Sequence, residues 1–369
     1  MGKQKTLFSS GPTCKNPEWS LNLLKEALVG RSHRSLPAKV KLGSLIEKTR
    51  SLLAIPSDYR MAIMPGSATG AVETALWHLL GPRPVTAHVI DVFSHLWAKD
   101  VIEELKLSCI VISASNEEFL ELKDEPDHDL LLTLNGTTSG MMYPDLEWIQ
   151  EGRGGLVIAD LTSAAFCMPI DWSKIDAAAF SWQKGLGSEA AHGMLVLSPR
   201  AVQRLHTYKP SWPLPRLFRL MGEGNTLNEN LFKGLTLNTP SMLCVEDCLV
   251  ALKWAQRLGG GEALLKRCDE NFNVIRKYVE ESPLLSFSIT NRRFVSKISP
   301  CLIAHPLKHL KTDEQWSWYH HIAQKIEKEG RGYDFLNHAF GIPAFRVWCG
   351  PTVDAKDIDR FMNRLIREI

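Results

Sequence analysis

The stretch "AAFSWQKGLGSEAAHGML", residues 178–195, places one lysine between an apolar run and a glycine-rich loop. Lys184 follows Ala-Ala-Phe-Ser-Trp-Gln, which is typical of the end of a buried strand, and Gly185 and Gly187 come directly after it. A lysine side chain is costly to bury and normally lies in water. The pattern therefore predicts that the small residues leave space beside Lys184 for a bound group.

Apolar runs alternate with amphipathic ones over the part of the chain that surrounds this stretch. Two segments, 70–81 and 96–107, have helical spacing. Strands and helices in alternation predict an α/β fold with a mostly parallel sheet covered by helices on both faces. The short runs that predict buried strands are 59–64, 84–92, 108–114, 129–135, 155–160, 176–182 and 193–198.

The length of 369 residues favours two domains. A long helical stretch, residues 242–282, is interrupted at Gly259–Gly261 and predicts a connection to a smaller C-terminal α+β domain. We expect an N-terminal segment (1–15) that packs near the active site, a large domain with the central sheet (16–255) and a small domain (256–369).

Composition excludes several classes of function. The net charge of +2 gives no electrostatic footprint for nucleic acid. No apolar run approaches the roughly 20 residues that span a bilayer, and the N-terminus lacks an apolar signal core. The eight cysteines show neither zinc spacing nor a disulfide framework, so we expect no metal site and a reducing, cytoplasmic location.

In open α/β sheets, functional side chains gather at the carboxyl ends of the strands. Four candidates follow predicted strands: the loop "PGSATG" (65–70), Thr137, Asp160 and Lys184. The loop enters a predicted helix, and its small residues would let a phosphate approach the backbone N–H groups of the helix N-terminus. It matches neither the P-loop nor the dinucleotide fingerprint.

Each of these features has an ordinary structural explanation when it is taken alone. The loop could be a simple strand–helix connection, Asp160 a turn or cap residue, and Lys184 a surface lysine whose stem is buried. Together, an anion cradle, a carboxylate and an amine 24 residues later are what pyridoxal 5'-phosphate requires. The lysine binds the cofactor as a Schiff base and later carries the proton, while the carboxylate keeps the pyridine nitrogen protonated.

The sequence also resembles the phosphoserine aminotransferases, which are class-V aminotransferases of fold type I. Several of the shared motifs are closest in spelling to the branch common in alphaproteobacteria. The resemblance covers nearly the whole chain, and its motifs occur in family order at residues 8–20, 30–35, 135–141, 159–166, 181–195, 238–242 and 345–353.

The resemblance implies roles for residues around the cofactor. Lys184 would be the Schiff-base lysine and Asp160 the partner of the pyridine nitrogen. Trp97 would stack on the ring, and Thr137 would contact its 3' oxygen. The residues implied at the cofactor phosphate are Ala68, Thr69, Gln183 and, from the neighbouring subunit of a homodimer, Asn238 and Thr239. Trp97 could equally be a core tryptophan, and Asn238–Thr239 also suit a helix cap.

The substrate carries an α-carboxylate and a distal phosphate, and arginines suit both groups. The resemblance implies Arg346 as the carboxylate clamp, with Ser10 nearby, and His33 and Arg34 at the distal group. The family usually has an arginine beside the residue equivalent to His338, and this chain has none. His338 would fill part of that role, with Arg331 as a remote substitute.

The expected reaction transfers the amino group of L-glutamate to 3-phosphohydroxypyruvate and gives O-phospho-L-serine and 2-oxoglutarate. The phosphorylated hydroxythreonine precursor of vitamin B6 is a further substrate that the family implies. Alternatives are a serine–pyruvate or alanine–glyoxylate aminotransferase and a cysteine desulfurase-like lyase. The last would need a mobile cysteine, and Cys349 lies in "RVWCG", which predicts a strand. A catalytically silent protein would lack Lys184 or Asp160, and a nicotinamide dehydrogenase would need a glycine fingerprint.

Overall fold

The computed structural model describes residues 6–114, 122–307, 309–338 and 341–369. Residues 1–5 of the expected N-terminal segment lie outside this part. All seven predicted strands are present and join one sheet. They are β1 (Arg60–Pro65), β2 (Val85–Val89), β3 (Cys109–Ser113), β4 (Asp129–Thr133), β7 (Val157–Asp160), β8 (Ala177–Ser181) and β9 (His192–Leu197). A small hairpin, β5 (Asn135–Gly136) with β6 (Met141–Met142), follows β4.

The order of the strands across the sheet is β1-β9-β8-β7-β4-β2-β3. Strand β9 is antiparallel to both of its neighbours, and the other pairs are parallel. The carboxyl ends of β1, β2, β4, β7 and β8 therefore lie at one edge of the sheet. The predicted mostly parallel α/β sheet is confirmed.

Six of the seven strands are buried on both faces, and their side chains alternate between the two faces along each strand. The run 108–114 was also expected to be a buried strand, but β3 lies at the edge of the sheet and is largely exposed, with Ile110 at 47% and Val111 at 42%. In β1, Met61 and Ile63 belong to one apolar cluster, whereas Ala62 and Met64 belong to the other. The first cluster includes side chains of α1 (Leu36–Leu52) and α5 (Met242–Leu258), and the second includes those of α2 (Ser67–Leu79), α3 (Val92–Lys99) and α4 (Pro199–Thr207). This double covering explains why the strands have continuous apolar sequences.

The C-terminal part forms a second, antiparallel sheet of β10 (Leu285–Phe287), β11 (Cys301–Ala304) and β12 (Phe345–Arg346). Its helices are α6 (Gly261–Glu281), α7 (Thr312–Lys328) and α8 (Ala355–Ile366). The predicted break between α5 and α6 is present, since Gly259 and Gly260 have left-handed φ values of 123° and 83°. In the part of the chain that the structure describes, no helix combines the length and the apolar character needed to span a membrane.

Three sequence-based boundaries were wrong. The helix predicted from residue 70 begins at Ser67, because residues 67–70 of the 65–70 loop form its first turn. The helix predicted over 96–107 is α3, which starts at Val92 and continues after Lys99 as a wider turn over 100–104. The strand around Cys349 ends at Arg346, although Cys349 N still donates to the Ile298 carbonyl at 2.7 Å.

Candidate active site

A cavity of about 240 Å³ lies at the edge of the sheet where the parallel strands end. Its walls come from the β1–α2 loop, the start of α3, the ends of β4, β7 and β8, and the N-terminal segment. The structure brings together seven of the predicted cofactor residues in these walls: Ala68, Thr69, Trp97, Thr137, Asp160, Gln183 and Lys184.

The loop after β1 makes a tight entry into α2. Gly66 and Ser67 both have left-handed backbone, with φ values of 79° and 57°. Such a value is uncommon for serine and persists only where the surrounding structure imposes it. Gly70 is needed for the approach of the loop, because a Cβ atom there would overlap the Pro65 carbonyl oxygen. The first turn of α2 thus presents backbone N–H groups to the cavity, which suits an anion.

Asp160 is the last residue of β7 and is 5% exposed. Its Oδ2 accepts a hydrogen bond from Trp97 Nε1 at 2.9 Å. Its Oδ1 accepts from Thr162 N at 2.8 Å and from the Thr162 hydroxyl. These donors stabilise an ionised carboxylate in a buried position and leave Oδ2 with a lone pair for a further donor. Trp97 is therefore both a buried tryptophan and a wall of the cavity.

Lys184 lies just after β8 and is 9% exposed. Burial, together with the positive charge of Arg346, lowers the pKa of Lys184 to about 8, against the attraction of Asp160 and Asp91. The amine donates to the carbonyl of Ser10. A lysine in this state has a far larger fraction of uncharged amine at neutral pH than a hydrated lysine has, and the uncharged amine is the nucleophile.

The N-terminal segment holds the lysine in place. Thr13 Oγ1 donates to the Lys184 carbonyl at 2.6 Å, and Thr13 N donates to the Gln183 carbonyl at 2.9 Å. Gly11 lies against the lysine amine, because a Cβ atom at Gly11 would overlap Lys184 Nζ. The described residues of the N-terminal segment thus contact the stretch that carries Lys184.

Several polar atoms around the cavity are buried without a hydrogen-bond partner among the described residues. They are Ser10 Oγ, Asp91 Oδ2, Thr133 Oγ1, Gln183 Oε1 and Arg346 Nε. Buried polar groups in folded proteins are nearly always paired, so a cluster of unpaired ones indicates a place for a polar ligand. These atoms, the anion cradle, Asp160 and Lys184 together fit a group that carries a phosphate, a ring nitrogen and a reactive carbonyl.

Arg346 reaches the site from β12 in the small domain. Its Nη1 donates a long hydrogen bond of 3.4 Å to the Thr137 carbonyl, and its Nε is unpaired among the described residues. Thr137 Oγ1 in turn donates to Ser163 Oγ at 2.9 Å. Much of the donor capacity of the guanidinium group therefore remains available to a carboxylate ligand.

The remaining predicted residues do not line this cavity. Arg34, Asn238 and Thr239 are exposed, and His33 is only partly buried. His338 is closer, since its ring lies edge-on to Phe93 with ring centroids 6.4 Å apart, and Phe93 is part of the cavity wall.

Sequence reasoning missed several residues of the site. Thr162 and Ser163 follow Asp160 directly, so their place at a strand end was a usable signal. Thr13 gave none, because it lies 171 residues from its partner Lys184. Asp91 also lines the cavity, and burial raises its pKa. Its carboxylate accepts from Ser94 N and Ser94 Oγ in a capping box at the start of α3. The spacing of Asp91 and Ser94 is a signal for this cap, but it is no signal for the place of Asp91 in the cavity wall.

The chemistry of this cavity is specific. A buried amine of depressed pKa, a carboxylate on a neighbouring strand and an anion cradle at the other end meet the three demands of pyridoxal 5'-phosphate. The fold and the site thus define a pyridoxal-phosphate-dependent enzyme of fold type I.

Comparisons with known proteins narrow this class. No family model matches the chain. The chain is 42% identical over 354 residues to a phosphoserine aminotransferase of Methanosarcina mazei, covering 95% of this chain and 93% of that protein. The phosphoserine aminotransferase of Methanosarcina barkeri is 43% identical over 353 residues, with the same coverage. The chain belongs to the phosphoserine aminotransferase family, and it is a transaminase that uses pyridoxal 5'-phosphate.

Solved structures agree on the fold. A phosphoserine aminotransferase of Cytophaga hutchinsonii superimposes with a TM-score of 0.83 at 20% identity and covers 99% of both chains. An alanine–glyoxylate aminotransferase of Nostoc superimposes with a TM-score of 0.79 at 15% identity, over 100% of this chain and 96% of that chain. At these identities the likeness concerns the fold alone.

Proposed function

We propose that the cavity carries out transfer of an amino group between L-glutamate and 3-phosphohydroxypyruvate, with O-phospho-L-serine and 2-oxoglutarate as products. The observation that carries the proposal is the juxtaposition of Lys184, Asp160 and the 65–70 loop in one cavity, in a chain that is 42% identical to a phosphoserine aminotransferase. The eight cysteines form no disulfide, which supports a reducing, cytoplasmic setting.

Each of these residues has a defined task. When bound, the cofactor supplies an electron sink that stabilises negative charge on the substrate Cα. Lys184 would hold the cofactor covalently and, once displaced by the substrate amine, move the proton at Cα. Asp160 would keep the ring nitrogen protonated, and the indole of Trp97 orients that carboxylate through its 2.9 Å hydrogen bond. The first turn of α2 would bind the phosphate.

Arg346 is proposed to bind the α-carboxylate of both amino-acid substrates. Its Nε and the Ser10 Oγ are buried donors without a partner among the described residues, and the Ser10 carbonyl accepts from the Lys184 amine. We expect Arg346→Ala to weaken L-glutamate and O-phospho-L-serine by a similar factor, about tenfold or more, because each presents the same carboxylate. Apparent affinities from single-turnover titrations with each amino acid would test this, and an effect on only one of the two would contradict it.

The distal phosphate requires a different source of positive charge. His33, Arg34, Asn238 and Thr239 lie outside the cavity of their own chain, and the last three are exposed. Large apolar side chains are exposed nearby, with Leu36 at 76%, Val40 at 62% and Leu243 at 47%. Exposed apolar patches of this kind mark interaction surfaces. We therefore propose a homodimer in which residues of one subunit complete the active site of the other. In it, His33 and Arg34 bind the distal group of the substrate, and Asn238 and Thr239 bind the cofactor phosphate.

A mixing experiment separates this arrangement from one within a single chain. Lys184→Ala and Arg34→Ala proteins are each impaired, and their subunits can be exchanged by mild denaturation and refolding. If Arg34 acts across the interface, each mixed dimer has one intact site, and activity recovers toward about a quarter of the wild-type value. If Arg34 acts within its own chain, mixing restores nothing. Mixing Lys184→Ala with Asp160→Ala, two residues of one cavity, is the matched control and should restore no site, because each subunit of the mixed dimer still carries a defect in its own cavity.

The substrate itself is tested by a half-reaction. The protein in its pyridoxal form is mixed with O-phospho-L-serine, L-serine or L-alanine, and the cofactor absorption is followed to the pyridoxamine form. Fast conversion with O-phospho-L-serine alone supports the proposal. Equal rates with L-alanine would instead favour an aminotransferase without a phosphate site. That is the main competing assignment, because the chain lacks the family arginine beside His338. A desulfurase is disfavoured because Cys349 is fully buried and burial raises its pKa.

A further inference from the structure

We infer that His192 is a positioning residue that joins three chain segments: the 65–70 loop, the segment that leads to Lys184, and the segment that carries Asn238 and Thr239 toward the cavity of the other subunit. The inference rests on the proposed function, because it concerns the phosphate of the proposed cofactor. His192 does not line the cavity, and the proposed function gives it no role. It is the first residue of β9, is 5% exposed and pairs with Pro65, the last residue of β1.

The first contact of His192 is with the segment that carries Asn238 and Thr239. Its Nε2 accepts a hydrogen bond from the backbone N–H of Ser241 at 3.0 Å. An imidazole can accept at Nε2 only when that nitrogen carries no proton, so the neutral ring with a proton on Nδ1 is required. Burial lowers the pKa of His192 to about 4, which keeps the ring neutral under physiological conditions. Ser241 is the N-cap of α5, so this bond ties the start of the helix, and with it the preceding residues 238–239, to His192.

The second contact is with the segment that follows β8 and leads to the lysine. The His192 ring lies edge-on to Trp182, with ring centroids 5.1 Å apart and an interplanar angle of 67°. Trp182 is fully buried and lies two residues before Lys184. Edge-to-face contacts of this kind orient both rings.

The neighbours of His192 make the third connection, to the phosphate loop. The Ala191 carbonyl accepts from Ser67 N at 3.3 Å, and both residues have left-handed backbone, with φ values of 66° and 57°. Gly193 lies against the other side of Ser67, because a Cβ atom there would overlap the Ser67 carbonyl. Residues 191–193 thus hold the strained start of the loop, and the side chain of His192 extends this support to Ser241.

The inference predicts a selective effect on binding of the phosphate. Cofactor dissociation constants are measured on apoprotein with pyridoxal 5'-phosphate and with pyridoxal, which lacks the phosphate. In His192→Phe, which cannot accept from Ser241, we expect the phosphorylated cofactor to bind about tenfold more weakly or worse, with little change for pyridoxal. His192→Gln places an amide oxygen near the Nε2 position and is expected to restore most of the affinity.

A control and a second pair of variants keep the test decisive. His78 is another buried histidine whose Nε2 contacts backbone groups, the Phe218 carbonyl at 2.9 Å and the Leu220 N–H at 3.3 Å, but it does not line the cavity. His78→Phe should leave the ratio of the two dissociation constants unchanged. If His192→Phe does not fold, Ser241→Pro removes the same N–H from the other side, and Ser241→Ala keeps it.

Three results would overturn the inference. They are an unchanged ratio of the two dissociation constants in His192→Phe, equal weakening of pyridoxal 5'-phosphate and pyridoxal binding in that variant, or the same ratio in Ser241→Pro and Ser241→Ala. Failure of the proposed function would look different. In that case the half-reaction with O-phospho-L-serine would fail, while the wild-type protein would still bind pyridoxal 5'-phosphate more tightly than pyridoxal.

Discussion

At the scale of single residues, the reactivity of Lys184 depends on a balance of charge and burial. Burial and the guanidinium of Arg346 lower the pKa of Lys184, whereas Asp160 and Asp91 raise it, and the result is about 8. A fully hydrated lysine has a pKa near 10.4 and would be almost entirely protonated at neutral pH. The same arginine that we propose as the carboxylate clamp thus also helps to activate the lysine.

This balance predicts a pH dependence for covalent capture of the cofactor. The amine is protonated and unreactive below its pKa, so the capture rate of the apoprotein should rise as the pH increases through about 8. In Arg346→Met the repulsion is removed, the pKa of Lys184 rises, and the midpoint should move to higher pH. Stopped-flow absorption on both sides of the midpoint measures it.

The control for this prediction is a distant, exposed arginine. Arg257 pairs with Glu18 at the surface, and its side chain is 57% exposed. Arg257→Met should leave the midpoint in place. A midpoint that did not move in Arg346→Met would mean that burial alone lowers the pKa of Lys184.

At the scale of elements, two glycines within helices have opposite roles. In α1, a Cβ atom at Gly43 would meet only the Lys233 carbonyl, at an ordinary 3.8 Å. In α2, a Cβ atom at Gly70 would overlap the Pro65 carbonyl, and the loop could not approach its own helix. The first glycine only weakens its helix, whereas the second is needed to form the phosphate loop.

Alanine at the two positions should therefore change stability in opposite directions. Gly43→Ala is expected to raise the free energy of unfolding by about 0.5–1 kcal/mol, because it lowers the entropy of the unfolded chain without a clash. Gly70→Ala should lower it by about 1–3 kcal/mol through overpacking, and should weaken binding of pyridoxal 5'-phosphate. Urea unfolding of the two apoproteins gives both values. Destabilisation by Gly43→Ala would show that α1 is packed more tightly than its contacts indicate.

At the scale of the whole molecule, the sheet is covered on both faces but one surface is unusually apolar. Leu36 and Val40 of α1 and Leu243 of α5 are exposed on helices that pack against each other. The proposed dimer would cover them. The division into 1–15, 16–255 and 256–369 also remains our proposal, and its second boundary falls in the last turn of α5, just before the break at Gly259.

A single charge on this surface should separate the subunits. Val40→Asp would bury a carboxylate in the proposed interface, which is strongly unfavourable without a partner. We expect a monomer in sedimentation velocity, with weakened binding of the phosphorylated cofactor because Asn238 and Thr239 of the second subunit are lost. Ile110 on the edge strand β3 is also exposed, at 47%, and Ile110→Asp is the matched control that should remain dimeric. A dimer that survived Val40→Asp would place the interface elsewhere.

The sequence was most informative where a local pattern has a direct structural meaning. Strands that are buried on both faces need continuous apolar runs, and six of the seven predicted runs form such strands, whereas the seventh, β3, is present at the exposed edge of the sheet. Parallel strands end at a common edge, so the position of Asp160, Lys184 and the 65–70 loop after three such runs was enough to predict that they meet. The pairing of an amine, a carboxylate and an anion cradle then indicated the cofactor.

Contacts between distant segments depended on the tertiary structure. The hydrogen bond from Trp97 to Asp160, the support of Lys184 by Thr13 and the bond from Ser241 to His192 join residues that are 63, 171 and 49 positions apart. The separation of Arg34 from the cavity of its own chain likewise has no local signature. Periodicity reports which face of an element is buried, and the sequence by itself therefore determined the sheet, the place of Lys184 and Asp160 at its edge and the cofactor class. Which side chains meet across elements is decided only when the elements pack, because hydrogen-bond geometry and burial are properties of the assembled core.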